Sequence, residues 1–99
     1  MTKADIAQHI ARATGLTQTD TAAVIDGFIE AVSMALEQGE RVEIRGFGTF
    51  KVVQRAARTG RNPRAGTHIA IPPRNAPAFK PSREIRERVN KERPRQDAA

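Results

Sequence analysis

Cysteine, tryptophan and tyrosine are absent from the 99 residues, and the four aromatics are all phenylalanine. The missing cysteine excludes a disulfide scaffold, a thiol nucleophile and a zinc-finger array, and it fits a reducing compartment. Apolar residues are scarce, at 38%, and no run approaches the roughly 18 consecutive apolar residues of a membrane span. Asp5, His9, Gln18 and Asp20 stand where a signal peptide would hold its apolar run. Acid is missing from a long stretch as well. Between Glu43 and Glu84 there is none, while nine Lys or Arg fall in that window. A small, basic chain remains, expected to be soluble and cytoplasmic.

What is present is unevenly placed. The net charge is +6. Residues 1–40 carry two basic and six acidic groups, whereas residues 41–99 carry fifteen basic and five acidic ones. A surface charged only for solubility intersperses both signs. A polyanion is the simplest partner for such a segregated chain, with nucleic acid ahead of a membrane surface.

The spacing predicts a helix over about 3–14, opened by a capping box of Thr2 and Asp5 and closed at Gly15. A second helix starts after Thr17, with Asp20 in its first turn, and reaches Gln38 before Gly39. Its apolar residues include Ala23, Val24, Ile25, Phe28, Ile29, Val32, Ala35 and Leu36, more than one stripe, so it needs burial on two sides. Val42 and Ile44 then alternate as a strand, Gly46-Phe47-Gly48 forms a turn, and Phe50, Val52 and Val53 begin a second strand. Residues 49–75 read as a long hairpin broken by Pro72-Pro73, with a turn at Asn62-Pro63-Arg64-Ala65. Its distal half has almost nothing apolar to bury and is expected to project as an arm. Ala78 and Phe79 return to the core. Ser82 caps a last short helix, with Glu84–Arg88 and Glu87–Lys91 as expected ion pairs.

Without arm and tail, about 65–70 residues remain to form a core, few for a domain with no disulfide or metal. Together with the two-sided helix, this predicts an obligate dimer.

Chemistry-bearing motifs are few. Arg45-Gly46-Phe47-Gly48-Thr49-Phe50-Lys51-Val52 partly matches an RNA-recognition strand motif, but that fold opens with a strand and this chain opens with two helices. Gly46 and Gly48 are followed by no Gly-Lys-Ser/Thr and so make no phosphate loop. His9 and His68 have no carboxylates at ligand spacing, and no nucleophile has a base beside it. No metal, no cofactor and no catalytic residue is expected. Arg55, Arg58, Arg61 and Arg64, by contrast, recur every three residues along the arm with no acid near them. Arginine suits a narrow minor groove, where the negative potential is enhanced.

These residues closely resemble the HU/integration-host-factor family of bacterial histone-like proteins over roughly residues 1–91. The most specific stretches are Gly46-Phe47-Gly48-Thr49-Phe50, Arg55-Ala56-Ala57-Arg58-Thr59-Gly60-Arg61-Asn62-Pro63 and Pro77-Ala78-Phe79-Lys80-Pro81. The resemblance implies an α+β fold: an intertwined dimer with a helical base, a short antiparallel sheet and two protruding β-hairpin arms (about 53–75). It implies that the arms embrace the DNA minor groove and that Pro63 at each tip wedges between base pairs. By position, Arg55, Arg58, Arg61, Asn62, Arg64 and Arg74 would line the arm. Lys80 would meet phosphate on the body, and Lys3, Gly46, Ser82 and Arg83 would lie along the flanking path. Phe28, Ile29, Val32, Leu36, Ile44, Phe47, Phe50 and Phe79 would form the dimer core. Ser82 stands where the family often has glycine, Val53 where it is often basic, and residues 92–99 form an expected disordered tail beyond the usual end.

The expected function is therefore non-sequence-specific bending of double-stranded DNA by a homodimer at the nucleoid, with bent, nicked or gapped DNA preferred. An RNA-binding regulator using the same basic arm and a site-specific bender of the integration-host-factor kind are the alternatives.

Overall fold

The computed structural model describes the backbone of residues 1–62 and 67–91, and the side chains of residues 1–57 and 70–91. The expected wedge Pro63, its neighbour Arg64 and the tail 92–99 lie outside the described residues. So do the side chains of Arg58, Arg61 and Asn62. The chain divides into two units, Met1–Gln38 and Gly39–Ala99.

The first unit is a pair of helices, α1 (Lys3–Thr14) and α2 (Gln18–Glu37). The α1 start is the expected capping box. The Asp5 N–H donates to the Thr2 hydroxyl at 3.2 Å, and the Thr2 N–H donates to the Asp5 carboxylate at 2.9 Å. Gly15 ends α1 at φ +79°, a left-handed position that glycine occupies without a Cβ clash. Thr17 caps α2 through a 3.0 Å bond from the Asp20 N–H.

The two helices pack on small side chains, and little else of theirs is buried. Ala7 on α1 and Thr21 on α2 are buried, and the Thr21 hydroxyl is satisfied by donating to the Thr17 carbonyl at 2.8 Å. Larger apolar side chains of α2 stay open: Val24 is 67% exposed and Phe28 46%, with Ile29 and Met34 also exposed. Val32 and Leu36 are half-buried. The helix needs two covered sides, and within this unit α1 covers one.

The second unit holds a three-stranded antiparallel sheet in the order β1-β2-β5: β1 (Val42–Ile44), β2 (Gly48–Arg55) and β5 (Arg74–Pro81). Between β2 and β5 the chain forms a separate two-stranded sheet, β3 (Arg58–Asn62) with β4 (Thr67–Ile71). Helix α3 (Arg83–Val89) follows β5.

Two expectations need correction. The sequence pattern ends the return strand near residue 75 and leaves Ala78 and Phe79 only as core. In the structure β5 continues to Pro81 and pairs with β2 along its whole length, from Arg55↔Arg74 to Gly48↔Pro81. Pro77 and Pro81 masked this in the sequence, since proline cannot donate to a ladder. β5 is tolerant of them because it lies at the sheet edge and needs ladder partners on one side only. In α3 the expected Glu84–Arg88 and Glu87–Lys91 pairs do not form. Arg83 Nε instead meets Glu87 at 2.9 Å, both side chains being largely exposed, and such a pair contributes little.

Gly46 and Gly48 set the β1–β2 turn. The Phe47 N–H donates to the Ile44 carbonyl at 3.0 Å, and Gly46 sits at φ +81°, the conformation a type II turn demands at its third residue. Gly48 is needed for a different reason. A Cβ there would lie 2.5 Å from the Lys80 carbonyl oxygen and 2.6 Å from the Phe79 ring. Phe79 fills that space and stacks in a tilted cluster with Phe50 and Phe47, at centroid separations of 4.9 and 5.1 Å, within the range of favourable aromatic pairs.

Gly48→Ala is expected to destabilise the protein by about 3 kcal/mol through overpacking against backbone. Gly27→Ala, where a Cβ meets nothing within 4 Å, should be neutral or stabilising by up to about 1 kcal/mol from helix propensity. Thermal unfolding of both variants checks the contrast; equal melting temperatures would refute it.

Candidate nucleic-acid interface

Directly opposed residues of an antiparallel pair share a face, and successive residues alternate faces. The β2–β5 register therefore sorts the sheet into two surfaces. One carries Gly48, Phe50, Val52, Pro77, Phe79 and Pro81, joined by Val42 and Ile44 of β1. The other carries Thr49, Lys51, Val53 and Arg55 on β2 facing Lys80, Ala78, Ala76 and Arg74 on β5, with Glu43 of β1 opposite Thr49. Four cations thus share one face with a threonine, a valine, two alanines and a single acid, Glu43, at its β1 side. From Arg74 to Lys80 the strand runs about 20 Å at roughly 3.3 Å per residue.

None of the four cations forms an ion pair with an acid among the described residues, Glu43 included. The ion pairs found there are Lys3–Asp26 and Arg83–Glu87, and neither involves Lys51, Arg55, Arg74 or Lys80. Arg55 and Arg74 are directly opposed, and like charges so placed repel. A bound polyanion relieves that repulsion. The face is physically arranged to hold one.

The end of the sheet nearest α3 gathers three further expected residues. The Ser82 N–H donates to the Phe47 carbonyl at 2.8 Å, and its hydroxyl donates to the Gly46 carbonyl at 2.9 Å. The same oxygen accepts from the Ile85 N–H at 3.1 Å, capping α3. Ser82 therefore fastens the helix start to the glycine turn, with Arg83 next in the chain. Its own N–H is used by Phe47 and is not open to a phosphate. Lys3 belongs to the helical unit, where it meets Asp26 at 2.6 Å with both side chains more than half exposed. Exposed pairs of this kind are weak and give way to a stronger partner.

Of the expected arm residues, Arg55 and Arg74 are brought together at the arm root. Arg58, Arg61 and Asn62 lie on β3, opposite Ile71, His68 and Thr67. Phe47, Phe50 and Phe79 meet in one cluster with Ile44 on the same apolar face. Phe47 and Phe79 are still 41% and 42% exposed. Lys51 was missed by the sequence reading. The signal was available in its parity: on a strand, Lys51 shares the face of Arg55, four residues on. Among the described residues no three His, Cys, Asp or Glu side chains lie together, and no helix is long and apolar enough to cross a membrane.

Comparison with known proteins adds an independent observation. The model of a family described as bacterial DNA-binding protein matches residues 1–90. The chain is 45% identical to the integration host factor subunit beta of Marinobacter nauticus over 91 residues, covering 91% of this chain and 93% of that protein. It is 43% identical to the DNA-binding protein HU of Thermus thermophilus, covering 92% and 94%. Among solved structures, an Anabaena HU–DNA cocrystal structure superposes with a TM-score of 0.89 at 32% identity, covering 93% of this chain and all of that one. HU from Thermotoga maritima superposes with a TM-score of 0.66 at 28% identity, covering 91% of this chain and all of that one.

Proposed function

Because the chain belongs to the bacterial DNA-binding protein family of HU and integration host factor, whose members are architectural proteins and not enzymes, we propose that it is a homodimeric, largely sequence-independent DNA bender of the nucleoid. The observation that carries this reading is the sheet face of Lys51, Arg55, Arg74 and Lys80, four cations without a described acidic partner. These contacts read phosphate and carry no sequence information. Arg58, Arg61, Asn62 and Arg64 continue the charge along the arm, and Gly46, Ser82, Arg83 and Lys3 extend the path. The cocrystal of the Anabaena relative with DNA supports the same reading. Site-specific bending is the second reading, favoured by the nearly equal identity to an integration host factor subunit. A spread of affinities above about a thousandfold over unrelated duplexes marks that alternative.

Counterion release gives log K a slope of about −0.9 per phosphate contact against log salt. Lys51→Ala and Lys80→Ala are each expected to reduce that slope by about one unit and to weaken all duplexes alike. Competition among intact duplex, gapped duplex and duplex RNA of equal length completes the test. Preference for gapped DNA supports the bender, whereas RNA preference or a flat salt dependence contradicts it.

The dimer is supported by what one chain leaves open. Phe28, Ile29, Phe47 and Phe79 are all exposed, and a second copy is the economical cover for apolar area of this extent. Val32, Leu36, Ile44 and Phe50 belong to the same proposed core. Sedimentation is expected to give twice the chain mass, and Phe28→Ala to cost about 3–5 kcal/mol and unfold a marginal dimer. A folded monomer at micromolar concentration would contradict this.

Pro63 is proposed as the wedge. Its ring is apolar and rigid and has no N–H to leave unsatisfied between base pairs. Unstacking one step costs a few kcal/mol, which the wider wrapping of a bent duplex offsets. Pro63→Ala should keep the dimer, lose a modest part of the affinity and sharply reduce the bend. Energy transfer across an end-labelled duplex at saturating protein reads this, and an unchanged bend would leave Pro63 as only a turn former.

A further inference from the structure

The three-stranded sheet ends on one side in β5, eight residues and about 25 Å of strand. A free edge of that length is a template for another strand unless something blunts it. In an antiparallel ladder only alternate pairs exchange hydrogen bonds, and each residue points its N–H and C=O to the same side. The Ser82 N–H donates to the Phe47 carbonyl at 2.8 Å, one step beyond the Gly48↔Pro81 pair. That bond fixes the alternation. Lys80, Ala78, Ala76 and Arg74 turn their backbone groups toward β2, whereas Pro81, Phe79, Pro77 and Asn75 turn theirs outward.

The outer edge therefore offers four carbonyls but only two N–H groups, those of Asn75 and Phe79. At the other two outward positions a proline ring stands in place of the donor. Both prolines thus cost the sheet no ladder bond, and both fall where a further strand would need one. Its carbonyls would meet ring methylenes there, and a buried carbonyl without a donor is costly. The opposite edge is closed by shortness. β1 has three residues, and the same alternation turns Val42 and Ile44 toward Phe50 and Gly48. Glu43 alone faces outward, too little to seed a ladder.

We propose that Pro77 and Pro81 shut the β5 edge against strand addition by a second copy of this chain. The stretch Asn75-Ala76-Pro77-Ala78-Phe79 carries no charge, so proline is its only guard against stacking edge to edge. The closure belongs to the edge and holds whether or not the chain binds DNA.

Pro77→Thr, Pro81→Thr and the double variant restore the donors in the full chain. The double variant is expected to keep the helix content of the parent and to associate beyond the parent's own oligomer. The concentration at which light scattering rises should fall about tenfold or more, with smaller shifts in the single variants. Ala78→Gly is the control, because it loosens the same strand and adds no outward donor. Hydrogen exchange locates the contact. The new amides at positions 77 and 81 should exchange fast in dilute protein and slowly once it associates. Slow exchange in dilute protein would put those groups inside the ladder and overturn the alternation. Unchanged scattering, scattering matched by Ala78→Gly, or association that leaves both new amides unprotected would each overturn the closure. Should the double variant fail to fold, the same readings on Pro77→Thr decide, since Pro77 is exposed and Pro81 half-buried.

Discussion

One close approach governs the sheet. The Phe79 ring occupies the space where any residue but glycine at position 48 would carry its Cβ, 2.6 Å away. This fit sits beside the pairing Phe50↔Phe79 and fixes the register of β2 on β5. A slip of one residue would move every side chain of a strand to the opposite face. Phe50 and Val52 would then join the cations, and Lys51 and Arg55 would be driven toward the phenylalanine cluster. The separation of an apolar face from a basic one thus depends on a glycine that carries no chemistry itself. Ser82 reinforces the same end, bonding to Gly46 and Phe47 while capping α3.

How much of this was legible follows from the range of the interactions. The caps at Thr2, Thr17 and Ser82 were readable because each bond spans three residues of chain. The left-handed Gly15 and Gly39, and the break at Pro72-Pro73, were readable for the same reason. What was missed depends on pairing across the fold. β5 looked irregular because Pro77 and Pro81 violate strand preference, and only its edge position makes them harmless. Lys51 was passed over because a lone lysine between Phe50 and Val52 looks like the solvent side of an ordinary strand. Its company with Arg55, Arg74 and Lys80 appears only once the register is known. The Arg83–Glu87 pair formed in place of two expected pairs because exposed ion pairs differ by little energy.

The two units differ in how they meet the shortage of apolar residues. The helical unit buries only the small side chains of Ala7 and Thr21, while Val24, Phe28 and Met34 remain uncovered. The sheet unit gathers three of the four phenylalanines of the chain into one cluster. Neither arrangement buries a large apolar side chain among the described residues. Marginal cores of this size ordinarily need a staple, and the sequence has no cysteine for one. In the proposed homodimer a second chain supplies the missing burial, and stability then depends on protomer concentration.

Charge segregation then has a consequence that net charge alone would hide. The helical unit has five acidic groups and two basic ones, and Lys3, one of the two, already has Asp26 at 2.6 Å. The sheet unit gathers four cations on one face, Arg55 opposed to Arg74, beside the one acid Glu43. A polyanion therefore meets attraction on one unit and net repulsion on the other, at separations within a Debye length of about 8 Å at physiological salt. A uniformly basic protein of the same +6 charge would gather strands on all sides and bridge them. On the proposed DNA-binding reading, confining the attraction to one unit directs a single duplex to the sheet face, and relief of the Arg55–Arg74 repulsion adds to the free energy of binding.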